Sequence, residues 1–167
     1  MPSSPGVYWW YFPLSALDQL GIAELADVST LQLRSTPDDK VCLYVGMAKN
    51  LAERVKWHAA QKLTPNALKS GFLSTFRLTL LALNDFDYLQ GAGQIDRCFD
   101  ALSIAWQATS TRDEAGILEH AELQGKCHYP LNIQGNRRPE LLVFVRHLKS
   151  SRRAYKRRSV AATVQTP

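Results

Sequence analysis

The side chains best placed to do chemistry lie in two short aromatic-containing segments and in the helix predicted to follow the second. Gly6-Val7-Tyr8 opens the first segment, and Tyr44-Val45-Gly46 closes the second. Arg54 and His58 lie at i and i+4 of the predicted helix, so their side chains point the same way. A guanidinium binds phosphate through forked hydrogen bonds, and phenol and imidazole groups can transfer protons. Together these residue types predict a site that binds and hydrolyses a phosphodiester.

The local sequence favours strands for the two tyrosines and a helix for the arginine and the histidine. Residues 6–12 and 41–45 are largely aromatic or β-branched, which predicts two strands. Asn50 is a suitable N-cap and Glu53 nearly completes a capping box, so a helix is expected over residues 51–62. These three elements would carry the candidate site.

Alternation along the strands predicts which side chains share a face of the sheet. Successive residues of a strand point to opposite faces. We therefore expect Cys42 and Tyr44 on one face of the second strand. In the first strand the expected sets are Val7, Trp9 and Tyr11 on one face and Tyr8, Trp10 and Phe12 on the other.

The rest of the chain carries further element signals. An apolar, partly β-branched run at 72–83 predicts a third strand. Thr111 and Glu114 form a capping box, which predicts a helix that continues to about Gln124. The remaining predicted elements are a helical stretch within 14–33 that is broken at Gly21, a helix over 88–106 and a last ordered piece at 141–145.

These elements predict a small α/β (α+β) fold, in which helices flank a three-stranded, mainly antiparallel sheet. A chain of 167 residues that is 46% hydrophobic can bury one core and is short for two domains. The domain is expected at residues 1–145, with insertions at 13–40 and 85–109. A basic tail at 146–167 is expected to follow it.

The positive charge of the chain is concentrated in this tail. Seven of the 20 Lys and Arg lie between Arg146 and Arg158, and no acidic residue follows Arg146. The net charge of +5 therefore becomes −2 for residues 1–145 alone. Such a segment can bind nucleic-acid phosphates in a salt-dependent way, although a solvated terminus is the alternative. The candidate phosphate-binding residues of the tail are Arg152, Arg153, Lys156, Arg157 and Arg158.

Two features bear on where the protein works. No apolar run approaches the length that crosses a bilayer, and the first residues lead directly into a strand and not into a signal peptide. The three cysteines are widely spaced, which fits neither a disulfide framework nor a zinc knuckle. We expect an intracellular protein, cytoplasmic or nucleoid-associated, with no membrane partner.

Taken in chain order, the two tyrosine motifs, Arg54, Glu119 and Asn132 resemble the GIY-YIG nuclease family. That family has a Gly-Ile-Tyr strand, a Tyr-Ile-Gly strand, a helix with an essential Arg, a helix with a metal-binding Glu and a late Asn. Each three-residue motif is weak alone, and the string from Tyr44 to Arg54 is the more specific part. The resemblance covers residues 6–132 in three blocks with long insertions between them.

The resemblance implies a metal-dependent endonuclease with five catalytic side chains. Glu119 would hold one divalent ion per active site, Mg²⁺ or Mn²⁺, largely through water. Arg54 would bind the scissile phosphate, and His58 would share the phosphate or assist proton transfer. Tyr8 and Tyr44 would meet across adjacent strands, one as the base and the other positioning water or phosphate, with the two roles left open. An unperturbed phenol has a pKa near 10, so Arg54 and the metal would have to lower it.

Other residues enter as supporting candidates or rivals. Lys49 and Asn132 are candidate substrate contacts, and Asn132 would tie the last connection to the wall of the active site. Some relatives carry a Lys directly after the second motif, where this chain has Met47. Glu114 and Glu122 are the rivals of Glu119 for the metal.

The resemblance leaves several biological roles open. The wide gap between the tyrosine motifs and the Arg-x-x-x-His helix are more similar to the restriction endonucleases of the family. A homing, mobile-element or repair nuclease is the first alternative, and a non-catalytic nucleic-acid-binding module that kept the fold is the second. The expected partner is DNA, with RNA open. One active site cuts one strand at a time, so double-strand cleavage would need a homodimer or successive events.

Overall fold

A three-stranded antiparallel sheet lies at the centre of the structure, a computed structural model that describes the backbone of residues 1–165 and the side chains of residues 1–162. The strands are β1 (Gly6–Pro13), β2 (Lys40–Ala48) and β3 (Ser103–Ala108). Their order is β2-β1-β3, with β1 paired antiparallel to both neighbours. The predicted α+β fold is therefore confirmed.

Helices cover both faces of this sheet. They are α1 (Ala16–Gln19), α2 (Ile22–Leu25), α3 (Leu51–Ala60), α4 (Pro65–Ser70), α5 (Thr75–Leu83), α6 (Ala92–Asp100), α7 (Arg112–Gln124) and α8 (Leu142–Gln165). Short 3₁₀ turns occupy Val28–Thr30 and Pro139–Leu141. Within the described residues, no helix is both long and apolar enough to span a membrane.

The two faces of β1 belong to different hydrophobic clusters, as its alternation predicts. Tyr8, Trp10 and Phe12 join the larger cluster with residues of α1, α5, α6 and α8. Val7 and Trp9 join the smaller cluster with Tyr11 and with Ala115 of α7. We call the first side of the sheet the major face and the second the minor face. Site residues on α7 must therefore reach the edge of the sheet to meet those of the major face.

A bulge in β2 overturns one prediction about its faces. The pairing passes from Trp10–Tyr44 to Tyr11–Cys42, so Leu43 is an extra residue in β2. Cys42 packs in the minor-face cluster, while Tyr44 packs against the major-face cluster. The prediction that Cys42 and Tyr44 share a face is wrong, because a bulge interrupts the alternation of a strand.

The third strand was predicted at the wrong place. Most of the segment 72–83 is helix α5 (Thr75–Leu83), and Ser74 caps it by accepting the N–H of Arg77 at 3.0 Å. Most residues of α5 are buried, Arg77 and Thr79 included, so its sequence has no clear solvent-facing stripe and resembles that of a buried strand. The third strand is instead Ser103–Ala108, inside the segment 85–109 predicted as an insertion, and the helix predicted over 88–106 is confined to α6.

The described part of the predicted basic tail, residues 146–165, is helical. The ordered piece expected at 141–145 continues as α8, and its residues Phe144, Leu148 and Tyr155 are buried in the major-face cluster. The periodicity of these residues places one stripe of α8 against the domain. The boundary after residue 145 stays a prediction, although α8 passes it without a break.

The glycines of both tyrosine motifs are required by close approaches to backbone or side chains. A Cβ on Gly6 would overlap the carbonyl oxygen of Gln107 in β3. A Cβ on Gly46 would lie 2.6 Å from the hydroxyl oxygen of Tyr8 and 3.1 Å from Cε1 of Tyr44. Gly46 pairs directly with Tyr8 in the register, so its missing side chain makes room for the tyrosine hydroxyl.

The variant Gly46→Ala is expected to destabilise the fold and displace Tyr8. Overpacking a close contact of this kind costs roughly 1–3 kcal/mol of unfolding free energy, which urea denaturation measures. The control is Gly93→Ala in α6, where the nearest atom lies 3.7 Å from the added Cβ. Gly93→Ala should be neutral or stabilise by up to about 1 kcal/mol. Equal stability of the two variants would contradict this explanation of Gly46.

Candidate active site

A polar cleft runs along the open edge of β2. It has a volume of about 570 Å³ and brings together side chains from five parts of the fold. Tyr44 comes from β2, Glu119 from α7, Asn132 from the connection after α7 and Arg152 from α8. Thr75 and Thr79 of α5 add hydroxyl groups to the lining. The chain positions of these residues are far apart, so only the fold brings them together.

Behind Tyr44, a chain of buried hydrogen bonds fixes the first tyrosine. The hydroxyl of Tyr8 lies 2.7 Å from Nε2 of His58, and Nδ1 of His58 lies 2.6 Å from Oγ of Ser74. All three side chains are at most 2% exposed. Burial, reinforced by the Arg54 charge, lowers the pKa of His58 to about 3, so its imidazole is neutral near pH 7. A neutral imidazole with two partners has a fixed ring orientation.

The two predicted tyrosines meet, but their environments differ. Their rings are 6.3 Å apart between centroids, on the same face of the sheet. Tyr44 lines the cleft and stacks on Phe76 at 4.4 Å, whereas Tyr8 is buried behind it. Burial raises the pKa of both phenols, and Arg54 opposes this in both. In the free protein desolvation outweighs the Arg54 guanidinium, so the pKa of both phenols stays raised. The expectation that Arg54 and a bound metal together lower it stays a prediction.

Arg54 lines a second groove beside the cleft and is not among the residues that line the cleft itself. Its guanidinium stacks over Trp57 at 4.9 Å from the ring centroid. It forms no ion pair within the described residues, and its charge lowers the pKa of both Tyr8 and Glu119. The predicted substrate contact Lys49 is exposed and lines the second groove beside it. Arg54 is thus an unneutralised charge beside the tyrosines.

Glu119 is held at the end of β2 by the backbone. Its Oε1 accepts the N–H of Met47 at 3.1 Å, so the position after the second motif contributes a main-chain donor to the site. Burial raises the pKa of Glu119, and the Met47 N–H and the Arg54 charge oppose that effect. Among the described residues, Glu119 is the only acidic side chain that lines the cleft. A partly buried carboxylate with one oxygen free favours a nearby cation.

The two rival glutamates have other partners. Glu114 completes the capping box of α7, as predicted, by accepting the N–H of Thr111 at 3.3 Å. Glu122 accepts the hydroxyl of Tyr129 and pairs with Arg34 on the minor-face side. Neither carboxylate lines the cleft, so Glu119 remains the candidate metal ligand there.

Asn132 joins the last connection to the edge of β2. Its Oδ1 accepts the N–H of Val45 at 2.9 Å, and its Nδ2 donates to the carbonyl of Val45 at 2.8 Å. The amide side chain therefore imitates a neighbouring strand where β2 has none. Asn132 also lines the cleft, so it both closes the sheet edge and presents part of the site wall.

The basic residues of α8 do not form one surface. Arg152 enters the cleft, whereas Arg153 and Arg157 are exposed to solvent. Arg158 pairs with Asp85 at 2.6 Å, and Lys156 lies beside Gly71. Helical periodicity distributes these five charges around α8, which the linear sequence does not reveal.

The residues present fit a single hydrated divalent cation. Glu119 offers a carboxylate whose Oε2 accepts no hydrogen bond from the described residues. No group of three or more His, Cys, Asp or Glu that could hold a metal occurs in the part of the chain that the structure describes. Mg²⁺ is well suited to one carboxylate, because it retains much of its hydration shell in proteins. The donor set is thus compatible with one largely hydrated divalent cation, and the identity of the ion stays a prediction.

Ser74, Thr75 and Thr79 are site residues that the sequence analysis missed. Ser74 orients His58, and the two threonines line the cleft. The sequence signal that could have found them is Ser74 as the N-cap of helix α5. The prediction of a strand over 72–83 concealed that signal.

Comparison with known families agrees with this geometry. Residues 6–154 match the family model of the GIY-YIG catalytic domain, so the chain belongs to the GIY-YIG family and is a nuclease of that type. Its substrate is accordingly a nucleic acid, and nucleases of the family generally depend on a divalent metal. A search of curated proteins and a search of solved structures found no match. The matched range reaches into α8 and includes Arg152.

The buried neutral histidine should make stability depend on pH. The unfolded chain takes up a proton on His58 below pH 6.5, whereas the folded protein does so only near pH 3, so the folded state loses stability as pH falls between these values. The loss is roughly 2 kcal/mol from pH 6.5 to pH 5. Urea unfolding of the wild type and of His58→Gln at both pH values measures it.

The contribution of His58 is the difference in the pH dependence of unfolding free energy between the wild type and His58→Gln. The other titratable groups contribute equally to both proteins. His147→Gln, which replaces an exposed histidine of α8, is the control. A pH dependence that His58→Gln leaves unchanged would show that His58 is not neutral and buried in solution.

Proposed function

We propose that the protein is a divalent-metal-dependent DNA endonuclease that hydrolyses phosphodiester bonds in the cleft at the edge of β2. One observation carries this proposal: Tyr44 and Glu119 line the same cleft, and the nearby charge of Arg54 partly offsets the burial that raises the pKa of both. A base, an anchor for a cation and a phosphate-binding guanidinium are what hydrolysis of a phosphodiester needs.

Tyr44 is the better candidate for the base. It borders the cleft, while Tyr8 is only 2% exposed and its pKa is raised well above the ordinary value by burial and by Tyr44. The charges of Arg54 and Arg152 favour the phenolate of Tyr44. In that form Tyr44 accepts a proton from the attacking water. The water oxygen bonds to phosphorus as the P–O bond to the leaving oxygen breaks, and solvent protonates the leaving oxygen.

Tyr8 and His58 support this step from behind the cleft. With the proton of the neutral imidazole on Nδ1, His58 donates to Ser74 and accepts the hydroxyl hydrogen of Tyr8 at Nε2. We assign His58 to the orientation of Tyr8 and not to direct contact with phosphate, since its side chain is buried.

Arg54 and Glu119 would bind the charged groups of the reaction, the phosphate and the cation respectively. Arg54 would donate forked hydrogen bonds to the scissile phosphate, a geometry that Lys cannot reproduce. Glu119 would hold Mg²⁺ or Mn²⁺, which supplies Lewis-acid stabilisation of the charge on the phosphate oxygens when bound. The buried walls of the cleft strengthen these interactions relative to water.

Within this class we propose a restriction-type enzyme. The support is the Arg54-x-x-x-His58 helix and the long connection from β1 to β2, which here forms α1, α2 and a 3₁₀ turn. With one cleft per chain, cleavage of both strands would come from a homodimer or from two successive cuts. Mapping the ends of digested DNA separates restriction-type cutting from structure-specific repair cutting.

Replacement of the metal-binding carboxylate is the first test. Glu119→Gln is expected to lower Mg²⁺-dependent nicking of supercoiled plasmid by at least about 100-fold, because it removes the charge that holds the cation. EDTA should abolish nicking by the wild type. Asp113→Asn, which removes an exposed carboxylate from the first turn of the same helix, should retain activity.

Nicking by Glu119→Gln at the rate of Asp113→Asn would reject the metal assignment. DNA binding without any nicking by the wild type would instead favour the non-catalytic binding module.

The second test concerns the proposed base. Tyr44→Phe is expected to lower the single-turnover cleavage rate by about 10²–10⁴-fold and to remove the rise of the rate with pH that a phenol base produces. Tyr11→Phe is the matched control, since Tyr11 lies in β1 but packs on the minor face. The assignment fails if Tyr44→Phe keeps the pH profile of the wild type, or if Tyr8→Phe alone removes it.

A further inference from the structure

Arg152 is a cation from α8 placed inside the cleft. Its side chain lines the same cavity as Tyr44, Glu119 and Asn132, and it is near enough to Tyr44 to lower the pKa of that phenol. Neighbouring Arg153 on the same helix is exposed. The position of Arg152 is therefore specific and does not follow from the general basicity of α8.

The charge of Arg152 is not neutralised by the protein. It forms no ion pair within the described residues, and its Nε is buried without a hydrogen-bond partner. Burial lowers the pKa of Arg152, because its surroundings disfavour the charged form. The guanidinium nevertheless remains protonated. A partly buried charge and an unsatisfied donor both cost folding free energy unless a partner compensates them.

The stabilisation of α8 does not require this arginine. The helix is anchored by Phe144, Leu148 and Tyr155, which are buried in the major-face cluster. Tyr155 also donates its hydroxyl to the carbonyl of Phe86 at 2.7 Å. The placement of Arg152 in a polar cleft instead suits the binding of an anionic ligand.

We propose that Arg152 binds a non-bridging oxygen of the phosphodiester held in this cleft, as a second guanidinium in addition to Arg54. This inference rests on the proposed function and names a further catalytic residue. Arg54 reaches the site from α3 and Arg152 from α8, so the two charges come from separate elements. Together they would stabilise the extra negative charge of the transition state. The first turns of the predicted tail would then be part of the active site and not a separate DNA-binding segment.

The matched pair Arg152→Gln and Arg153→Gln tests this inference. Both variants remove one positive charge from adjacent positions of α8, so both should weaken non-specific DNA binding to a similar small extent. At saturating DNA, Arg152→Gln is expected to lower the single-turnover cleavage rate by about 100-fold or more, and Arg153→Gln by less than about threefold. Arg152→Lys should recover only part of the rate, because Lys lacks the forked donor geometry.

Thermal melting separates this role from a structural one. Arg152→Gln should melt at the same temperature as the wild type or higher in the absence of DNA, since it removes an uncompensated charge. A lower melting temperature together with a normal cleavage rate would show that Arg152 serves the fold. Equal cleavage rates of Arg152→Gln and Arg153→Gln would also overturn the inference.

The two proposals can fail separately. If the wild type does not cut DNA at all, the proposed function fails, and binding of a short phosphodiester oligonucleotide then decides about Arg152. Weaker binding by Arg152→Gln than by Arg153→Gln would retain Arg152 as a phosphate-binding residue, and equal binding would reject it. If Arg152→Gln does not fold, Arg152→Lys replaces it in the same comparison. Cleavage and binding by Arg152→Lys equal to those of the wild type would then reject the forked contact.

Discussion

The pairing of Tyr8 with Gly46 across β1 and β2 is the constraint on which the site depends. The register puts the residue without a side chain opposite the tyrosine, so that the Tyr8 hydroxyl occupies space that a Cβ would fill. From that position it meets His58 of α3. Tyr44 lies two residues before Gly46 and pairs with Trp10, so ordinary alternation puts it on the same face of the sheet, and the bulge at Leu43 turns only Cys42 to the other face. The register and one glycine thus align the hydroxyl groups, and the helices add the charges around them.

Desolvation sets the electrostatics of this arrangement. Burial favours the neutral forms of Tyr8, Tyr44, His58 and Glu119 in the free protein. Arg54 opposes that shift at the two tyrosines and at Glu119. A bound cation and a phosphate would complete the charge balance, because the cation favours the ionised carboxylate and phenol while the phosphate neutralises the arginines. The free site therefore favours ligands of both signs over a ligand of either sign alone.

The sequence predicted the family better than it predicted the individual elements. The tyrosine motifs, the Asn50 cap and the Thr111–Glu114 capping box are local signals, and each has the structure expected from it. Helix α5 was mistaken for a strand because its buried apolar residues conceal the helical period, and β3 was missed as a consequence. The bulge in β2 depends on pairing with β1, and the entry of Arg152 into the cleft depends on how α8 packs. Neither is encoded within a short window of sequence.

The central claim is that Glu119 and the tyrosines of the sheet surround one hydrated cation. Anomalous diffraction from crystals of the wild type grown with Mn²⁺ and a non-cleavable oligonucleotide tests it most directly. The structure predicts a single strong peak in the cleft, beside the Glu119 carboxylate and on the side that Tyr44 lines, with a phosphate oxygen next to it. A cleft without a peak, or a peak at another carboxylate in protein that still cuts DNA with Mn²⁺, would contradict the claim.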